Sequence, residues 1–118
     1  LLLPNVERFK VENQDFPVSV RIEEPGACPR YCGVSLTGVK VQESPDWLKK
    51  RLQSIGLTPI NNVVDVTNFV LHELGQPLHA FDADKLDGRQ IVVKFAAKGD
   101  LFTTLDKQLR TLSDTDLM

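Results

Sequence analysis

The stretch Asn61-Asn62-Val63-Val64-Asp65-Val66-Thr67-Asn68-Phe69-Val70-Leu71-His72-Glu73-Leu74 decides the fold class. Val63, Val64, Val66 and Val70 are β-branched and favour a strand on propensity alone. Yet Val63, Val66, Val70 and Leu74 recur at steps of three and four, which places them on one face of a helix. Over a run this long, periodicity outranks propensity. The spacing predicts a helix over residues 61–74, capped by Asn61 or Asn62 and ended by Gly75.

A second helix is expected just upstream, over residues 44–55. Ser44 has the side chain of an N-cap, Pro45 suits the first helical position, and Asp46 favours the positive end of the dipole. Leu48, Leu52 and Ile55 form its apolar stripe, Lys49 and Lys50 take the solvent side, and Gly56 supplies the stop. Further upstream, residues 17–23 alternate apolar and polar as a half-buried strand does, and Pro25-Gly26 marks a turn. Residues 31–41 read as a longer strand through Val34, Leu36, Val39 and Val41, with a bulge beside Gly38 where the parity slips.

Downstream of the helices, residues 76–88 read as a structured loop and residues 91–96 as a strand. Residues 101–105 and 108–112 suggest a hairpin across Asp106-Lys107, and Ser113 with Asp116 could open a short terminal helix. Strands, two helices, then strands again make an α+β pattern of mixed strands rather than a repeating βαβ one. Residues 1–16 read as a linker or edge segment, and residues 1–118 as a single partial domain.

With 118 residues the natural expectation is one hydrophobic core. Area scaling gives roughly 6,400 Å² of folded surface, with about two-thirds of the unfolded surface buried. A net charge of −2 argues against a broadly basic nucleic-acid surface, leaving room for a local patch. The longest apolar runs, such as Leu1-Leu2-Leu3, are too short for a membrane span or a signal peptide. Cys28 and Cys32 cannot make a disulfide framework, which favours a reducing cytoplasm. Met118 is the only methionine, so the chain is expected to be a piece of a longer polypeptide.

Few constellations suggest chemistry. Cys28 and Cys32 lack the second ligand pair of a structural zinc site and the two-residue spacing of a redox pair. They read as small residues at a strand entrance. His72-Glu73 starts like a metalloprotease helix, but Gln76 stands where the second histidine belongs. Asp82, Asp84, Asp87 and Gly88 lack the spacing and closing glutamate of a calcium loop and read as turn and cap residues. Lys49-Lys50-Arg51 reads as a solvated helix face. There is no glycine-rich phosphate loop and no nucleophile elbow. Gly75-Gln76-Pro77-Leu78-His79-Ala80-Phe81-Asp82 holds a single loop histidine. His79 there fits either a satisfied structural residue or a site residue held on a rigid loop.

Residues 56–70, Gly56-Leu57-Thr58-Pro59-Ile60-Asn61-Asn62-Val63-Val64-Asp65-Val66-Thr67-Asn68-Phe69-Val70, together with the loop from Gly75 to Asp82, closely resemble the beta-subunit family of bacterial phenylalanyl-tRNA synthetases. Cys28-Pro29-Arg30-Tyr31, Thr104-Leu105-Asp106 and Arg110-Thr111-Leu112 fit the same family. The resemblance runs from about Val18 onward and points to the first part of its B3/B4 editing region.

The resemblance implies removal of tyrosine wrongly attached to the tRNA for phenylalanine. His79 matches the histidine that lines the family's editing pocket, and Asn68 matches an asparagine close to it. The family's phenol-recognising acid lies beyond Met118, so no catalytic residue is assigned here and the chain alone is expected to be inactive. The resemblance further implies tRNA(Phe) and an alpha subunit as partners in an α2β2 enzyme, ATP and magnesium for the parent rather than for this segment, and a cytoplasmic location without membrane contact. The alternatives are a free-standing B3/B4-like tRNA-binding or structural module without editing activity, and a module whose editing has lapsed.

Overall fold

The computed structural model describes residues 4–118. Two compact units are present: Leu36–Leu86, and residues 4–35 together with Asp87–Met118. The elements are those of an α+β chain, with two helices and short strands in two sheets.

The Leu36–Leu86 unit is built from α1 (Asp46–Ser54) packed on α2 (Asn62–Leu74). Leu48 and Leu52 are buried, and Trp47 meets Phe69 edge-on at 5.5 Å between centroids. α1 ends in a Schellman turn. Leu57 N–H donates to the Leu52 carbonyl and Gly56 N–H to that of Gln53, each at 3.0 Å, with Gly56 at φ +83°. Ile55 stands at this turn rather than in the helical stripe and is half exposed, contrary to expectation.

Ser44 also departs from its expected role. Pro45 holds the N-cap position without a side-chain cap, because the Ser44 hydroxyl is engaged elsewhere. Lys50 is exposed, but Lys49 is partly covered. Its ammonium lies 2.7 Å from Glu43 and 2.9 Å from Asp46. Hydrogen bonds to Glu43 and then Asp46 raise the Lys49 pKa, and Lys49 lowers that of Asp46.

Of the two asparagines, Asn61 caps α2. Its carboxamide oxygen accepts from the N–H groups of Val63 and Val64, each at 3.0 Å. Gly75 closes the helix at φ +71°. Asn61→Ala is expected to lower stability by about 1 kcal/mol, read as a reduced urea midpoint at unchanged m-value.

Residues 31–41 form no strand. Alternation alone cannot hold a strand without a partner ladder, and the hydrogen bonds near its end come from Asn62. Gln42 N–H donates to the Asn62 carboxamide oxygen at 3.0 Å, and the Asn62 amide donates to the Lys40 carbonyl at 2.9 Å. A helix start offers no continuing ladder. Gly38, at φ +70°, marks a bend rather than a bulge. Val34, Leu36 and Val41 remain exposed.

In the other unit, β1 (Ser19–Ile22) pairs in parallel with β2 (Gln90–Val93), Ser19 opposite Gln90 and Ile22 opposite Val93. Val20 and Ile22 are half-buried and Ser19 and Arg21 exposed, as the alternation predicts. The turn at Pro25-Gly26 is closed by Cys28 N–H on the Glu24 carbonyl at 2.9 Å. β2 stops before Ala96 because Lys94 and Ala96 pair instead with Met118 and Asp116.

β3 (Leu101–Thr103) and β4 (Leu109–Thr111) make the expected antiparallel hairpin, with Lys107 at φ +63° in its turn. The Thr104 hydroxyl hydrogen-bonds Asp106 and lowers its pKa. The terminal helix does not form. The Asp116 carboxylate accepts from Ser113 N–H at 2.8 Å as a capping box would, but residues 116–118 run beside 94–96.

Leu48, Leu52, Val93 and Ala96 are the buried hydrophobic residues among those described. Leu48 and Leu52 belong to the Leu36–Leu86 unit, Val93 and Ala96 to the other.

Candidate functional site

The start of α2 is organised around Asp65. This residue has no solvent exposure, although it sits in a run of valines. Its Oδ2 accepts the Ser44 hydroxyl at 2.5 Å and its Oδ1 accepts Ile60 N–H at 2.9 Å. One carboxylate thus joins the approach to α1, the 57–60 segment and the first turns of α2. No salt bridge reaches it among the described residues. The sequence signal was present: an acid flanked by Val64 and Val66 on a helix must either face solvent or find specific partners.

Asn68 stands farther along the same helix and is half-buried. His79 lies in the loop that follows Gly75 and is exposed. Both belong to the Leu36–Leu86 unit, but no hydrogen bond joins them among the described residues. The His79 imidazole packs against Phe81, with ring centroids 4.3 Å apart and planes inclined at 53°. The sequence singles out His79 in this loop but not its pairing with Phe81.

The loop is fixed beyond Phe81. Asp82 accepts Asp84 N–H on its carboxylate at 3.2 Å and Lys85 N–H on its carbonyl at 3.0 Å, capping a short 3-10 turn at Ala83–Lys85. That is the turn chemistry expected of the aspartates. Among the described residues, no group of three potential metal ligands stands together.

A shallow groove lies between α1 and α2, lined by Arg51, Ile55, Phe69, His72 and Glu73 among others. A second, in the other unit, includes Lys94, Asp100, Phe102 and Met118. Neither includes Asn68 or His79. Cys28 and Cys32 are free thiols, Cys28 resting 3.6 Å from the Arg30 carbonyl.

A family model described as the B3/4 domain matches residues 27–118, covering both helices, the His79 loop and the hairpin. The chain belongs to the B3/4 domain family. This B3/4 chain is also similar to proteins named phenylalanine–tRNA ligase beta subunit. It is 52% identical to that of Bacteroides fragilis, with all of the chain aligned to 14% of that protein. The Synechocystis sp. protein is 52% identical, again over the whole chain and 15% of its own length. That of Geobacter sulfurreducens is 54% identical over 84% of the chain. The B3/4 chain therefore spans about one-seventh of the length of these relatives.

Proposed function

We propose that the chain is part of a phenylalanine–tRNA ligase beta subunit and supplies one wall of a site that hydrolyses tyrosyl-tRNA(Phe). Identity of 52% along its full length to a beta subunit carries this reading. On it, residues 1–118 are the N-terminal part of the B3/B4 editing module, with residues 1–16 a linker or edge segment whose first three residues lie outside those described. The apolar side chains exposed at Val34, Leu36 and Val41 fit a segment of a larger module.

Tyrosine exceeds phenylalanine by one hydroxyl. An apolar pocket rejects such an addition by only about 100-fold. A second site that hydrogen-bonds the phenol reverses the preference, because phenylalanine would leave its polar groups unpaired. The bond to be cut is a reactive ester, so a held water and modest electrostatic help suffice without a covalent nucleophile.

His79 and Asn68 are the pocket residues of this chain. The exposed imidazole of His79 offers a ring nitrogen to the water or the ester, and the carboxamide of Asn68 can both donate and accept. The parent enzyme uses ATP and magnesium for aminoacylation elsewhere, with tRNA(Phe) and an alpha subunit as partners in an α2β2 assembly in the cytoplasm.

In the full-length two-subunit enzyme, His79→Ala is expected to slow tyrosyl-tRNA(Phe) deacylation by about a hundredfold and to leave phenylalanine activation nearly unchanged. Parallel loss of both activities would make His79 a folding residue and remove it from the site.

A further inference from the structure

We infer that Phe81 is a positioning residue for His79, its ring holding the imidazole in the orientation that ester hydrolysis requires. The inference rests on the reading of His79 as an editing-site residue. It begins from an apparent defect: His79 is exposed and its imidazole has no hydrogen-bond partner among the described residues. An exposed side chain of this kind exchanges rotamers on the picosecond-to-nanosecond scale. A reacting group must instead be held within about 0.5 Å of its working position.

The contact present on the imidazole is the Phe81 ring, 4.3 Å away between centroids. His79 and Phe81 are separated in sequence by Ala80 alone, and their rings meet at an inclination of 53°. The backbone just beyond Phe81 is fixed, because the next residue, Asp82, caps the turn at Ala83–Lys85 through both its carboxylate and its carbonyl. On the other side, Gly75 ends α2 and Pro77 has its φ set by its ring. The loop backbone is thus held on both sides of His79, and the imidazole is the part left to be fixed.

Phe81 is 46% exposed, so its ring contributes little to the core. Its packing on the imidazole accounts for an aromatic side chain at this position better than burial does.

The test uses the full-length two-subunit enzyme and tyrosyl-tRNA(Phe). Phe81→Leu keeps apolar bulk and removes the ring. It should lower kcat for deacylation about fivefold to tenfold with KM unchanged, while Phe81→Tyr retains most of the rate. The double variant H79A/F81L should be no slower than H79A alone, because Phe81 acts through His79.

Full deacylation by Phe81→Leu, or additive losses in the double variant, would overturn the inference while leaving His79 in the site. Equal loss in Phe81→Tyr and Phe81→Leu would also overturn it, since a tyrosine ring can hold the imidazole as phenylalanine does. Full deacylation by H79A would instead remove His79 from the site, and the inference would fall with it.

Discussion

Replacing Asp65 by alanine is expected to destabilise the Leu36–Leu86 unit by about 3–5 kcal/mol. The carboxylate is fully buried and is the partner of the Ser44 hydroxyl and of Ile60 N–H. Removing it leaves two donors without an acceptor and opens a void where three segments meet. Asp65→Asn separates shape from charge. Its carboxamide oxygen can still accept from Ile60 and its amide can donate to the Ser44 oxygen, so its cost should be nearer 1–2 kcal/mol. Urea unfolding followed by tryptophan fluorescence reads both, because Trp47 sits on α1 against Phe69. An Asp65→Ala midpoint within error of wild type would mean that the buried network contributes nothing to stability.

Leu52→Ala should cost about 2–5 kcal/mol. Leu52 is 1% exposed and shares the α1–α2 interface with Leu48. Its backbone carbonyl also receives Leu57 N–H in the turn that ends α1. The groove beside it, walled by Phe69 and His72, would open inward into the vacated volume. Ile55→Ala is the matched control. Ile55 is 51% exposed and should lose no more than about 0.5 kcal/mol. Equal effects at the two positions would show that α1 does not bury the face assigned to it.

What could be read from the sequence was what neighbouring residues decide among themselves. Asn61, Gly56 and Gly75 act on their own helix ends, so both helices and their limits were legible to within a residue or two. The β3–β4 hairpin was legible for the same reason, since its turn lies between its strands. What depended on a distant partner was not. The parallel match of β1 with β2 joins residues far apart in sequence, and alternation says nothing about who pairs with whom. Residues 31–41 have the alternation of a strand but no ladder. Ser44 has the chemistry of a cap, yet its hydroxyl is taken by an acid on the next helix. Ser113 and Asp116 form half of a capping box on a chain that turns back instead of coiling.

The candidate site divides along the same line. His79 was conspicuous as a lone loop histidine, and resemblance added Asn68. The contact with Phe81 needed coordinates, because extended and turned backbones place i+2 neighbours differently. Asp65 was visible as an anomaly among valines, but only the fold names its two partners.

The pairing of β1 with β2 also sets an order of events as the chain is made. Leu36–Leu86 is continuous in sequence and rich in local contacts, so its helices can dock as soon as that stretch is free. β1 is synthesised earlier yet has to wait, because its partner ends at Val93, beyond both helices. Until then its edge is unpaired and open to other strands. β1, though made before the helices, is therefore secured only after both of them have left the ribosome, so an early strand depends on a late one.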